Sequence, residues 1–294
     1  MEFLLQLLFA GICVGSTYAL IAMGLTLTFW TTRTMNFGQG SLMMVGAVAT
    51  ALCLAAKVPV VLAAAAGIGL AAVLMLGVER MAIRPLLRSA GSMGWVVSTL
   101  GLGLFLQGFV TKYLGAQPIV FPPLMFDPLA FVEVAGVRLS AQYLAVLVLS
   151  LALMIAMELF LRRSRWGRAV RAVAHDADVA ALAGIPVRRV VVMSFVASGA
   201  LAGVAGILIC QITGTADPQF GFNLIILGFV AAVVGGIGSI AGAMLGGIAL
   251  GVAEKLAGGF VSTAFGDAMA FAVLMAVLAA RPEGLFGVRE TAKV

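Results

Sequence analysis

Uncharged apolar runs follow one another along almost the whole chain, and the first, Leu4 to Trp30, contains no ionisable carboxylate or basic side chain. Roughly 20 apolar residues cross a bilayer as a helix, and backbone groups in lipid leave few other shapes open. A soluble domain carries about 25% charged residues. This chain has 10% charged and 63% apolar residues, too few charges to cover such a surface in water. The expected fold is an all-α, polytopic transmembrane helix bundle, a single domain over residues 1–294.

Further runs cover Leu42–Ala56, Val60–Val78, Met93–Val110, Ala141–Leu161 and Val190–Ile212, and three more fit between Phe220 and Ala280. That makes nine spans, within a range of about eight to ten. The runs at 42–56 and 220–234 are short enough for partial or re-entrant helices, and Gly11 and Gly15 are places where the first run could break. Residues 112–140 bring Pro118, Pro122, Pro123, Asp127 and Pro128, then Glu133 and Arg138 around Val-Ala-Gly-Val. They read as a small hairpin or lid outside the bilayer.

Charge sets the expected orientation. Between Arg162 and Arg189, seven arginines stand against Asp176 and Asp178, net +5, whereas Lys112 to Arg138 balances to zero. The stretch Glu79 to Arg88 is net +2. Basic loops stay inside, so residues 162–189 are expected in the cytoplasm and 112–140 outside, with the C-terminus inside. Nine spans then place the N-terminus outside. The formal charge of +6 expresses this side preference and not nucleic-acid binding, because no aromatic-basic interleaving accompanies it.

A short internal echo joins Asn36-Phe-Gly-Gln-Gly to Gln219-Phe-Gly-Phe. One copy would lie toward each face, the arrangement of inverted repeats in transporters; the echo is brief, and repeat and chance both stay open. Polar residues within spans need partners or a solvated path. Asn36, Gln39, Gln107 and Asn223 are the candidates for a translocation path, with interhelical or capping hydrogen bonds as the alternative role. Asp267 is the carboxylate that could lie deepest, or it could cap the last helix; Glu158 and Glu254 have basic neighbours. Cys13, Cys53 and Cys210 are isolated and His175 is the only histidine, so no metal set or catalytic constellation is formed.

The chain lacks the GxxxxGK[ST] phosphate loop, so any ATPase must be another polypeptide. Ala169 to Ala183 is rich in helix formers and is stopped by Gly184-Ile-Pro186. A short amphipathic helix there would suit a groove on such a partner; a plain solvated loop is the alternative.

The combination of Gly24-Leu-Thr-Leu, Asn36-Phe-Gly-Gln-Gly, Thr99-Leu-Gly-Leu, Arg168-Ala-Val-Arg-Ala-Val-Ala-His-Asp, Ala181-Leu-Ala-Gly-Ile-Pro-Val and Arg281-Pro-Glu-Gly-Leu-Phe-Gly resembles the permeases of bacterial branched-chain amino acid ABC transporters, in the branch of the smaller permease. The glycine-rich stretches from Gly199 and from Val234 belong to the same pattern. Gln39 stands where many relatives have His, and Gly38 where they have Ala. The resemblance implies an inner-membrane importer of leucine, isoleucine or valine. Its partners would be a second permease subunit, two cytoplasmic ATPase subunits and a periplasmic solute-binding protein. The chain itself would hold no cofactor, ATP being bound by the ATPases. Arg168, Arg171, Asp176, Asp178 and Gly184 would form the ATPase-coupling segment. Related permeases are linked to urea or short-chain amides. A self-contained channel or secondary carrier, and a structural membrane subunit, are the readings of another class.

Overall fold

The computed structural model describes residues 2–85, 94–126, 130–134, 137–260, 262 and 265–287. Arg88, Asp127, Pro128 and the side chain of Asp267 lie outside that description. The first apolar run forms one unbroken helix, α1 (Glu2–Thr32). It is followed by α2 (Gln39–Ala55), α3 (Val60–Val78) with a five-residue π turn at Glu79–Ile83, and α4 (Gly94–Leu114). Then come α5 (Ala141–Arg163), α6 (Arg165–His175), α7 (Ala177–Leu182), α8 (Val187–Thr213), α9 (Phe220–Gly235), α10 (Ile240–Phe260) and α11 (Gly266–Ala280). Among the described residues, six helices are long and apolar enough to cross a membrane, and α2, α9 and α11 are shorter apolar ones. The chain is a multi-pass membrane protein.

The expected helix over Ala169–Ala183 is two helices. Asp176 leaves helical geometry, with φ −158° and ψ 112°, and its carboxylate accepts the N–H groups of Asp178 and Val179 at 2.9 and 3.0 Å. It therefore caps α7 and ends α6. Asp267 falls in the first turn of α11, whose capping position is Phe265.

The two ends of the bundle differ. One carries α6, α7 and the arginine-rich stretch 162–189. The other carries two small antiparallel pairs: β1 (Ile119–Val120) with β4 (Thr215–Ala216), and β2 (Phe131–Val134) with β3 (Val137–Ser140). The second pair is the hairpin expected from the proline-rich segment, and Arg138 donates to Glu133 across it at 2.9 Å. The first pair joins segments about 95 residues apart, a link that local sequence pattern does not carry.

The packing repeats itself with exchanged partners. α1 lies along α10 as α8 lies along α3. α2 sits against α3 and α8 as α9 sits against α10 and α1, and α4 flanks α2 as α11 flanks α9. α1 and α8 touch each other, as do α2 and α9. α1 runs toward the arginine-rich end and α8 away from it, so the two halves are inverted. The segment from α5 to α7 links them.

Gly11 and Gly15 do not break α1 because they are its contact face. A Cβ on Gly11 would meet Val252 Cα at 2.7 Å, and one on Gly15 would meet Ile248 Cα at 2.8 Å. Small residues let helix backbones approach this closely. Across the seam, Gly251 faces Gly15, whereas Gly108 on α4 has no atom within 4 Å of where its Cβ would stand. Gly251→Leu is expected to destabilise the protein by about 2 kcal/mol or more. Gly108→Leu should stay within about 0.5 kcal/mol; thermal denaturation in one detergent compares the two.

Candidate translocation site

Two irregular links enter the bundle, residues 33–38 before α2 and residues 214–219 before α9. Both close on the same turn. Asn36 Oδ1 accepts the Gly38 N–H at 3.0 Å, and Asp217 Oδ1 accepts the Gln219 N–H at 2.8 Å. The Gln39 and Phe220 N–H groups reach the carbonyls of Asn36 and Asp217, each at 3.3 Å. Asn36 thus corresponds to Asp217 and Gly40 to Gly221. The echo read from sequence aligns Asn36 with Gln219, two residues away. It followed the Phe-Gly pairs, whereas the turn-forming Asn and Asp set the true register.

Gly40 and Gly221 meet where the two helices begin. A Cβ at either position would collide with the other's carbonyl oxygen. Two helix N-termini therefore converge inside the bundle, and the positive ends of their dipoles favour an anionic group such as a carboxylate.

The four path candidates divide into two pairs. Asn36 and Gln39 are fully buried. Asn36 Nδ2 donates to Met75 Sδ at 3.1 Å. Gln39 Nε2 donates to the Ile21 carbonyl at 3.1 Å, and Ser198 Oγ donates to Gln39 Oε1 at 3.1 Å. Gly24 leaves room for this amide, since a Cβ there would stand 2.5 Å from Gln39 Nε2. Gln39 so ties α2 to α1 and α8. The side chains of Gln107, half-buried on α4, and Asn223, exposed on α9, make no hydrogen bond among the described residues. Between α4 and α9, Phe37 stacks on Trp95 at 6.5 Å and packs against Phe229 at 5.5 Å.

A second polar knot lies at the strand-bearing end. Gln142 Nε2 donates to Gln211 O and Oε1 at 2.6 and 2.9 Å, and Gln211 Nε2 donates to Pro122 O at 3.2 Å. It borders a cavity of about 270 Å³. Gln142 was not singled out from sequence because it stands at the first turn of a span, where a polar residue is unremarkable.

The coupling candidates have separate tasks. Arg171 donates to the carbonyls of Leu161 and Arg162, capping the C-terminus of α5. Asp176 caps α7. Arg168 and Asp178 are exposed, and Gly184 turns the chain with φ +81°. Beside Asp178, α7 exposes two large apolar side chains: Val179 is 60% and Leu182 88% exposed. Sequence reading passed over them for the neighbouring charges. A pair of large apolar residues at i, i+3 in a short alanine-rich loop helix was the available signal. Among the described residues no group of His, Cys, Asp and Glu could hold a metal.

Residues 7–278 match the family described as branched-chain amino acid transport system, permease component. The chain belongs to that family. This permease is 36% identical to the high-affinity branched-chain amino acid transport system permease protein LivH of Salmonella typhimurium, covering 99% of this chain and 98% of that one. It is 38% identical, with the same coverage, to the permease protein BraD of Pseudomonas aeruginosa. A solved structure, PsaBC from Streptococcus pneumoniae in complex with Fab, shares the fold with a TM-score of 0.53 at 14% identity, over 97% of this permease and 94% of that chain.

Replacing Gln39 with Ala removes the acceptor of the buried Ser198 hydroxyl and the tie to the Ile21 carbonyl. It is expected to destabilise the permease by about 1–3 kcal/mol. Gln107→Ala and Asn223→Ala should change stability by less than about 0.5 kcal/mol. Detergent melting curves of the three variants check both statements.

Proposed function

We propose that this permease is one of two membrane subunits of an ATP-driven importer of branched-chain amino acids in the bacterial inner membrane. The observation that carries the reading is near full-length similarity to permeases named for that transport. The site agrees with it chemically. The path candidates are uncharged, which suits a solute whose opposite charges are met by amides and helix dipoles. The converging N-termini suit its carboxylate, and apolar walls suit its side chain.

In this reading α6 and α7 face the cytoplasm, as the arginine excess predicts. Val179 and Leu182 insert into a groove on an ATPase subunit, while Arg171 and Asp176 hold the two helices in the shape that presents them. ATP binds to the partners, and no cofactor binds here. The strand-bearing end faces the periplasm and receives a solute-binding protein. Gln107 and Asn223 line the path beside the second permease.

The test is uptake by vesicles containing this permease, its companion permease, the ATPases and the binding protein. Leucine is expected to accumulate only with internal ATP. Isoleucine and valine should compete, while urea and acetamide should not. Uptake by this permease alone, without ATP, would contradict the proposal. Leu182→Asp is expected to cut ATPase co-purification by about tenfold or more.

A further inference from the structure

The junction between α1 and α2 is tied to the arginine-rich helices by one unusual residue. Arg33 adopts φ +55°, a left-handed conformation rare outside glycine. Its N–H closes α1 on Phe29 O at 2.8 Å. Its guanidinium lies 5.8 Å from the Phe29 ring and donates through Nη2 to Ala174 O at 2.8 Å. That carbonyl belongs to the last turn of α6, where intrahelical donors run out and the dipole favours a cation. A charge-assisted bond thus joins the end of α1 to the joint between α6 and α7.

On its other side Arg33 leads directly inward. Thr34, Met35 and Asn36 are all buried. Asn36 is bonded to Met75, and Gln39 is bonded to α1 and α8. Gly40 then abuts Gly221. Three residues before Arg33, Trp30 Nε1 donates to Gly238 O at 2.6 Å, in the turn between α9 and α10. The end of α1 therefore touches α6, the start of α2 and the exit of α9 through short contacts, the one to α6 exposed and the one at the α9 exit partly buried. Such a strap has little slack to absorb a displacement.

We propose that Arg33 is the positioning residue through which movement of α6 and α7 reaches the crossing of α2 and α9. Its left-handed backbone holds the strap in register, and its guanidinium grips the moving helix. This rests on the ATP-driven reading above. A residue that served only to cap α1 would contribute to stability and leave the coupling of ATP hydrolysis to uptake untouched.

The experiment uses the complete transporter in vesicles, measuring ATP hydrolysis with and without leucine-loaded binding protein, together with leucine uptake. For Arg33→Ala, ATPase co-purification is expected at the wild-type level. Uptake per ATP should fall about tenfold, with stimulation by the loaded binding protein largely lost. Arg33→Lys, which keeps a cationic donor, should retain part of both. Uptake per ATP within twofold of wild type in Arg33→Ala overturns the proposal. So does loss of the ATPases from that variant, which would make Arg33 a docking residue. If Arg33→Ala is not recovered as a folded membrane protein, Arg33→Gln decides by the same ratio, a wild-type value overturning the proposal. Failure of the wild-type chain to bind ATPases or import leucine sinks the importer reading itself and is distinct from these outcomes.

Discussion

Backbone amides in lipid have no water to bond with, and the whole architecture answers to that constraint. Continuous helices satisfy it where the chain meets hydrocarbon. Of the two irregular entries, the one before α2 is buried at residues 34–36 and 38, whereas the one before α9 is only partly covered and lies at the strand-bearing end. Asn36 and Asp217 supply the side-chain acceptors that replace lost helical bonds. Close packing of glycines then draws the two short helices together at Gly40 and Gly221. This crossing gathers backbone dipoles, with the Asp217 carboxylate bonded at the start of α9.

The ion pairs lie elsewhere in the bundle. The ion pair between Glu79 and Arg84, at 3.0 Å, lies at the π turn ending α3. Glu158 and Arg162 pair at 2.6 Å at the end of α5. Glu254, on α10, accepts from Tyr18 and Lys255 at 2.8 and 3.0 Å. Each of these three acids is met by a near neighbour. In the ATP-driven reading proposed above, the energy comes from outside the membrane, which gives the α6–α7 pair its importance.

Most of the helical layout was legible in the sequence because hydropathy states directly where lipid must be met. The run Val60–Val78 became α3 with the same bounds. The inverted arrangement was visible only as a faint echo, and its register was off by two residues. Aromatic and glycine letters are common in membranes, whereas the hydrogen bonds that fix the register appear only in three dimensions. The roles of Gln39 and Arg171 were also beyond reach, since Ile21 and Ser198 on one side, and Leu161 on the other, are brought near by packing. Arg33 looked like an ordinary flanking charge; its φ of +55° has no signature in composition.

The inverted relation of the two halves is tested most directly by sidedness. Lys57, at the exit of α2, and Ile237, at the exit of α9, are both exposed. With Cys53 replaced by Ser, Lys57→Cys and Ile237→Cys can each be challenged with a membrane-impermeant maleimide in intact and inverted vesicles. The account predicts reaction from opposite faces, with Leu182→Cys reacting on the same face as Ile237→Cys. Labelling of positions 57 and 237 from one and the same face would contradict it.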